Sequence, residues 1–415
     1  MNDATKVITS EEQEKKAAAV RLKNIGLRGV TVADTKISHV DGENGILIYR
    51  GYRIEDLAQR STFEEIAYLL HHDELPTEDE LQKFRKSLVD SRPVPEFVFD
   101  ALRKMPKESH PMDVLQAAIP ILATADADLD DDSRGANMAK AIRLIARAPV
   151  IVAGWQRIRE GKDLMPSDDA LSHAANFLWQ LTGRQPDPEI ARDLDTILVL
   201  HADHSFNAST FACREVVSTQ AHMYAGVAAG VGALSGSLHG GANALVMKML
   251  QQLRNEKDIP AWVKNQLASG RKIMGMGHAV YKTVDPRASF LKDMCFRIGK
   301  KLREDDWCRL STEIEETAIA EFKAQGKTTI KPNVDFYSAT VYHLMGIPLD
   351  LMTPVFAVAR IAGWTAHIIE EKFADAQEKP ALYRPLSEYV GHYCGKTGCV
   401  YEPMENRNVA KGSGK

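Results

Sequence analysis

The chain has 415 residues, with 52 basic and 56 acidic side chains, so its formal net charge is −4. This near balance argues against nucleic acid as the main partner, because phosphate binding leaves a basic footprint. Hydrophobic residues make up 44%, which is too many for a disordered chain, and the length predicts two or three domains at about 150 residues each.

The strand signal is concentrated near the start of the chain. Residues Gly29–Gly51 are rich in β-branched side chains, and DGENG (Asp41–Gly45) separates two apolar runs as a turn. We therefore predict a small N-terminal β-meander and little sheet elsewhere.

Helical patterns follow the meander and predict a mainly α chain. Thr77 with Glu80 forms a capping box, and Thr312 with Glu315 repeats it in a segment that Gly326 closes as a C′ residue. The same periodicity predicts four further helices, over Met112–Thr124, Ala136–Glu160, Asp168–Leu181 and Glu189–Leu200.

One stretch is uncharged: Val216–Met247 contains no Asp, Glu, Lys or Arg over 32 residues. That length could cross a bilayer. However, the stretch contains His222, His239 and six glycines, and small residues let helices approach closely. We expect buried helices of a soluble protein and no membrane span.

Histidines are enriched between residues 201 and 278, where five of the thirteen occur. His201 and His204 are three residues apart, which on a helix would turn both rings to one side. His239 precedes two glycines, and His278 lies in a Gly-flanked loop. Each could be a capping or core histidine, but together they indicate a ligand site.

Two charged residues lie next to or within apolar segments. Asp335 is followed by an uncharged run, Phe336–Leu349, where burial would raise its pKa and make it a general base; it could also be an N-cap. Arg360 lies in the apolar segment VFAVARIAGW, where an anion is a suitable partner for a buried guanidinium.

The five cysteines, at positions 213, 295, 308, 394 and 399, form no CxxC pair. This pattern predicts reduced thiols and a cytoplasmic protein. Cys394 and Cys399 leave three interpretations open: two ordinary thiols, a bridge, or half of a metal site. The polar N-terminal residues show no secretory signal.

Neutral histidines, a carboxylate base and arginines suit proton abstraction next to a carbonyl in a polycarboxylate substrate. No P-loop or dinucleotide fingerprint is present. The rival is a metal-dependent hydrolase that uses HADH and His239 as ligands, but no HExxH or Cys-rich spacing supports a metal site.

Five ordered segments resemble the citrate synthase family: LHADHSFNASTFACR, GSLHGGANALVMKML, GMGHAVYKTVDPRA, PNVDFYSATVYHLMGIP and FAVARIAGWTAHIIE. The resemblance implies an essentially all-α homodimer with large and small helical domains. We expect the large domain in residues 1–235 and 336–415, and a small, mobile, CoA-binding domain in residues 236–335.

The resemblance also implies an acyltransferase of the tricarboxylic acid cycle, which condenses acetyl-CoA with oxaloacetate and water to give citrate and CoA. It implies no permanently bound cofactor, since acetyl-CoA and CoA are substrate and product. The partners are then small molecules and a second subunit, and neither nucleic acid nor a membrane.

By the same resemblance, Asp335 is the base that removes the acetyl proton. His239 stabilises the enol or enolate, and His278 polarises the oxaloacetate carbonyl and protonates the new alkoxide. The residues implied to hold oxaloacetate are His204, Arg287, Arg360 and Arg384, the last of which reaches across the dimer.

For CoA, the segment RKIMGMGHAVYK resembles the adenine-binding loop. Gly275 and Gly277 would give backbone access there. Arg271 and Lys282 are candidates for phosphate contacts, with a solvated charge as the alternative for each. Ala279 stands where many relatives carry arginine.

Two alternatives within the resemblance remain open. The motifs are shared by 2-methylcitrate synthases, which use propionyl-CoA, and the size of the acyl pocket does not follow from them. A catalytically silent relative with a structural or filament-forming role is the non-enzyme alternative.

Overall fold

The computed structural model describes residues 26, 27, 29–278, 280–391 and 398–407. Within these residues one three-stranded sheet and sixteen α-helices form the fold, which confirms the mainly α class. The helices are α1 Ile54–Arg60, α2 Phe63–His72, α3 Glu78–Ser91, α4 Glu96–Arg103, α5 Pro111–Ala123, α6 Arg134–Arg159, α7 His173–Thr182, α8 Pro188–His201, α9 Ala208–Ser218, α10 Met223–Ser235, α11 Ala242–Leu253, α12 Ile259–Ala268, α13 Ala288–Leu302, α14 Asp306–Ala324, α15 Val334–Leu344 and α16 Met352–Phe373.

Two compact units can be separated along the chain. The first extends to Ala381 and the second begins at Leu382. The predicted division into residues 1–235, 236–335 and 336–415 stays a prediction.

The sheet is the predicted meander. Strands β1 (Ser38–Asp41), β2 (Ile46–Tyr49) and β3 (Tyr52–Arg53) pair antiparallel in chain order. Asp41 and Ile46 are partners across the turn, and the Asp41 carboxylate accepts hydrogen bonds from the backbone N–H groups of residues 43 and 44. This side chain therefore closes the DGENG turn locally.

Helix ends follow local chemistry at some positions and long-range packing at others. Thr77 and Glu80 form the predicted capping box before α3, and Gly326, with φ +75°, follows the end of α14 as predicted. The predicted helix start at Thr312 is wrong. Helix α14 already begins at Asp306 and continues through Thr312, whose hydroxyl donates to the carbonyl of Cys308.

The uncharged run Val216–Met247 covers the end of α9, all of α10 and the start of α11. A Cβ on Gly230 would lie 2.4 Å from the Cys213 sulfur and 3.1 Å from the Trp364 ring. The glycines thus let α10 pack closely against α9 and α16, as expected for buried helices. Among the described residues, one segment is long and apolar enough to span a membrane, Leu349–Phe373, and 94% of its apolar window is buried inside the protein.

The prediction of wholly reduced thiols is wrong. Cys295 in α13 and Cys308 in α14 form a disulfide with their Cα atoms 5.8 Å apart, and Cys399 is also disulfide-bonded. The first pair was missed because its contact arises from the packing of two helices, which a search for local CxxC spacing does not detect. Cys213 is buried as a free thiol, and Cys394 lies outside the described residues.

Candidate active site

Five segments of the first unit carry the predicted site residues. His204 follows α8, His239 precedes α11, and His278 precedes α13. Asp335 lies in the first turn of α15, and Arg360 lies in the middle of α16.

His239 is held as a neutral ring in one tautomer. The backbone N–H of Ser209 donates to its Nε2 at 3.2 Å, and the Ser209 hydroxyl lies 2.8 Å from the same atom. Burial, together with the charge of Arg360, lowers the pKa of His239 to about 4. Because an N–H group can only donate, Nε2 is the acceptor and the ring proton lies on Nδ1.

His278 has the opposite tautomer. The backbone N–H groups of Val280 and Tyr281 both donate to its Nδ1, at 3.0 and 3.1 Å. Burial and the nearby Arg287 lower the pKa of His278 to about 4. The neutral ring therefore carries its proton on Nε2, so the two histidines offer N–H donors through different nitrogens.

Asp335 is not the N-cap of α15. The cap is Asn333, whose side-chain oxygen accepts from the backbone N–H of Asp335 at 3.0 Å. Burial raises the pKa of Asp335 to about 6, while Arg287 and Arg360 act in the opposite direction. No described group donates a hydrogen bond to this carboxylate, so it has the environment of a weakly solvated base.

The two arginines differ in what faces them. Arg287 forms a buried, bidentate ion pair with Asp285, at 2.9 Å from Nε and 2.8 Å from Nη2. Arg360 donates from Nε to the carbonyl of His201 at 2.7 Å, and no described carboxylate forms an ion pair with it. Burial lowers the pKa of Arg360 to about 10, so at neutral pH it remains a buried cation without a described carboxylate partner.

Electrostatics indicate that these groups share one region. Arg287 and Arg360 both act on the pKa values of His204 and Asp335, and burial with these charges holds the pKa of His204 well below its ordinary value. The rings of His204 and His278 lie 5.6 Å apart between centroids.

The expectation for HADH was partly wrong. Helix α8 ends at His201, so His204 lies in the following loop and the two rings do not share a helix face. The His201 ring instead contacts Phe356 and Tyr342. The chain leaves the helix between the two histidines, and their spacing in the sequence did not reveal this.

The β-meander holds this loop in place. The Tyr49 hydroxyl donates to the backbone carbonyl of Asp203 at 2.8 Å, and the Ser38 hydroxyl donates to its carboxylate. The same carboxylate accepts from the N–H of Ser205 at 2.9 Å. The small sheet thus positions the residue before His204.

The loop before His278 is tied to the helix that carries Asp335. Asn333 donates from its side chain to the carbonyl of Gly277 and from its backbone to the carbonyl of Gly275, both at 2.9 Å. Gly275 has φ +77°, and a Cβ there would lie 2.8 Å from the ring of Phe336. A close approach between loop and helix therefore explains this glycine.

The remaining predicted residues are peripheral to this cluster or in the second unit. Arg271 is exposed, and Lys282 forms an exposed ion pair with Glu43. Arg384 is exposed in the second unit. Ala279 lies outside the described residues.

The rings proposed for a metal site point to different partners. His201 bonds Tyr342, and His239 bonds Ser209. Across the described residues, no group of three or more His, Cys, Asp or Glu side chains has the geometry of a metal site.

Sequence reasoning missed the residues that orient the others. Asp285 pairs with Arg287 only two positions away, and the motif DPR contained that signal. Ser209 and Asn333 act through backbone and side-chain hydrogen bonds to segments distant in sequence, for which the sequence offers no local signal.

Comparisons with known proteins identify the family of the chain. The family model described as citrate synthase, C-terminal domain, matches residues 26–386. The chain belongs to the citrate synthase family.

Three relatives illustrate this membership. A citrate synthase from Synechocystis sp. is 41% identical over 385 residues, which cover 93% of this chain and 94% of the relative. A 2-methylcitrate synthase from Mycobacterium tuberculosis is also 41% identical, over 88% of this chain and 90% of the relative. The solved structure of citrate synthase from Thermoplasma acidophilum, in a ternary complex with carboxymethyl coenzyme A and oxaloacetate, has a TM-score of 0.82 and 33% identity, covering 91% of this chain and 98% of that one.

Membership at this identity and coverage establishes an enzyme, an acyltransferase of the citrate synthase type.

Proposed function

We propose that this citrate synthase family member condenses acetyl-CoA with oxaloacetate and water to give citrate and CoA. The observation that carries the proposal is the combination of a carboxylate whose pKa is raised to about 6 with two neutral histidines in opposite tautomers. The ternary complex of the Thermoplasma relative supports the same substrates.

In the first step, the Asp335 carboxylate takes a proton from the methyl carbon of acetyl-CoA. The C–H electron pair forms the enol double bond, and charge develops on the thioester oxygen. The Nδ1–H of His239 donates to that oxygen, which lowers the cost of removing a weakly acidic proton.

In the second step, the enol carbon attacks the keto carbon of oxaloacetate. The Nε2–H of His278 polarises the keto group and supplies the proton that the new alkoxide takes up, and the proton that Asp335 removed returns through solvent to restore the neutral ring. Water then hydrolyses the thioester of the citryl-CoA intermediate and releases CoA. His204, Arg287 and Arg360 are assigned to oxaloacetate, whose two carboxylates match guanidinium donors.

For CoA, we propose Arg271, Gly275, Gly277 and Lys282 as the binding residues, within a small domain over residues 236–335 that closes on the substrates. Closure would exclude water while the enol exists. Residues 1–235 and 336–415 form the large domain in this proposal.

We propose a homodimer in which Arg384 reaches the partner's site. The second unit supports this because Leu386 and Val390 are 83% and 87% exposed, and exposed apolar side chains indicate a partner surface. Mixing inactive Arg384→Ala subunits with inactive Asp335→Asn subunits should restore activity, since one site of each heterodimer then has both groups intact. Proven heterodimers without recovered activity would contradict a shared site.

We also propose that the enzyme acts in the cytoplasm, in the tricarboxylic acid cycle, without a resident cofactor. Its substrates support this location, because multiply charged CoA esters and dicarboxylates do not cross an apolar bilayer unaided.

The assay that tests the activity follows thiol release with acetyl-CoA and with propionyl-CoA at saturating oxaloacetate. A higher kcat/KM for acetyl-CoA is expected, whereas a higher value for propionyl-CoA would make the chain a 2-methylcitrate synthase. The 2-methylcitrate synthase from Mycobacterium tuberculosis and the citrate synthase from Synechocystis are both 41% identical to this chain, and this equal similarity favours testing propionyl-CoA as the alternative substrate. Full activity after chelation would also remove the metal-hydrolase alternative.

A further inference from the structure

Tyr281 lies between two of the substrate-facing histidines and has no role in the steps above. Its hydroxyl is 3.1 Å from Nε2 of His204. Its ring lies 5.5 Å from the ring of His204 and 4.8 Å from that of His278, between centroids. With only 3% of its surface exposed, the side chain fills the space between the two.

His204 and His278 are distant in the sequence, so their contact depends on the fold. His204 follows α8, whereas His278 belongs to the loop before α13, 74 positions later. Tyr281 contacts both through different groups. Its backbone N–H fixes the tautomer of His278, and its side-chain hydroxyl holds the ring of His204.

The hydrogen bond between the Tyr281 hydroxyl and Nε2 of His204 affects the orientation of that ring. Without the hydroxyl of Tyr281, the buried imidazole of His204 would lose the hydrogen bond at Nε2 that holds its ring plane. No other described group bonds Nε2 of His204, so the hydroxyl of Tyr281 is the hydrogen-bond partner that holds this side of the ring.

We propose that Tyr281 is a positioning residue for the keto-acid substrate: it sets the spacing between His204 and His278 and fixes the ring of His204 through its hydroxyl. This inference rests on the proposed function, since it assumes that both histidines face oxaloacetate. The effect belongs to binding of that substrate, because the tautomer of His278 depends on the backbone N–H, which side-chain substitution leaves in place.

The test compares Tyr281→Phe with wild type. Phenylalanine keeps the ring between the two histidines and removes only the hydroxyl. We expect the KM for oxaloacetate to rise about three- to tenfold, the range for losing one buried hydrogen bond, with kcat and the KM for acetyl-CoA within about twofold of wild type. A Tyr281→Leu variant, which also removes the ring, should in addition lower kcat, because His278 loses the wall beside it.

Tyr224→Phe is the matched control. Tyr224 is also buried and donates a hydrogen bond to Asp126, at 2.5 Å, but it lies in α10, outside the cluster. Its removal should leave the KM for oxaloacetate unchanged, so a merely structural loss of a tyrosine hydroxyl is distinguished from a positioning loss.

The outcomes separate this inference from the proposed function. If the wild type is active and the Tyr281→Phe variant has an unchanged KM for oxaloacetate, the positioning role is wrong and the proposed activity stands. An equal fall in kcat/KM for oxaloacetate and for acetyl-CoA in Tyr281→Phe also overturns it. The same is true of an equal rise in the KM for oxaloacetate in Tyr224→Phe. Wild type that releases no thiol from either acyl-CoA overturns the proposed function and, with it, this inference. Should Tyr281→Leu fail to fold, Tyr281→Phe alone decides.

Discussion

Replacing Asp335 by asparagine should remove activity and at the same time stabilise the protein at neutral and alkaline pH. The pKa of this carboxyl is raised from 3.8 to about 6, chiefly because burial disfavours the charged form. A carboxyl raised in this way contributes stability that is fully present below its unfolded pKa and is lost as the pH rises through its folded pKa.

The magnitude follows from the two pKa values. At about 1.36 kcal/mol for each pH unit, the interval between 3.8 and about 6 corresponds to about 3 kcal/mol. About half of this, about 1.5 kcal/mol, develops between pH 5 and pH 8 by the same relation. These figures are upper values, because the residue keeps partial contact with solvent. Asparagine does not ionise there and avoids the loss.

The assay is denaturant unfolding of wild type and Asp335→Asn at pH 5 and pH 8, at equal protein concentration. The free energy of unfolding of the variant should exceed that of wild type by more at pH 8 than at pH 5. Condensation should fall by at least ~10²-fold, the usual scale for a general base. Asp41→Asn is the control: hydrogen bonds from Asn44 lower the pKa of Asp41 below 3.8, so the contribution of this carboxylate is complete at both pH values and its replacement should give the same stability difference at pH 5 and pH 8. A stability difference that does not grow with pH would refute burial as the cause of the raised pKa.

Three further predictions concern the same region. In wild type, kcat/KM should fall on the acid side with an apparent pKa near 6, as Asp335 protonates, and a limb near 4 alone would contradict its role. Arg360→Gln should raise the KM for oxaloacetate at least ~30-fold and move that acid limb to higher pH, because Arg360 lowers the pKa of Asp335; steady-state kinetics across pH measure both effects. Gly275→Ala should lower the free energy of unfolding by about 2–4 kcal/mol, from the left-handed backbone and the overlap with Phe336. Gly326→Ala, also left-handed but with no atom within 4 Å of its Cβ, should lose only about 1–2 kcal/mol in the same unfolding experiment, and equal losses would contradict the packing argument.

Local chemistry made much of the fold predictable. The DGENG turn is closed by the Asp41 carboxylate, and α3 begins directly after its N-cap Thr77, because both interactions span two or three residues. The failures have a long-range cause. Thr312 carries the residues of a capping box, yet packing of α14 extends the helix six residues further toward the N-terminus.

The candidate site was predictable as a set of residues but not as a set of protonation states. His239, His278 and Asp335 stand out through glycine-rich or apolar surroundings and through the family resemblance. The tautomer of His239 depends on Ser209, which is 30 positions away in the sequence. The tautomer of His278 depends on backbone N–H groups of its own loop, which donate to Nδ1 of the ring. Such contacts exist only once the chain is folded.

The arginines give the site a second property beyond affinity for anions. Burial is the main cause of the lowered pKa values of both histidines. Arg360 lowers the pKa of His239 further and Arg287 lowers that of His278, so each ring is neutral above about pH 4. Asp335 becomes a carboxylate only above about pH 6. At neutral pH the base is therefore ionised while both donors are still uncharged imidazoles. A protonated histidine beside these arginines would add repulsion, whereas a neutral N–H donates without it. The two arginines proposed to bind the dicarboxylate thus also help to keep Asp335 and the two histidines in the protonation states that their proposed roles require.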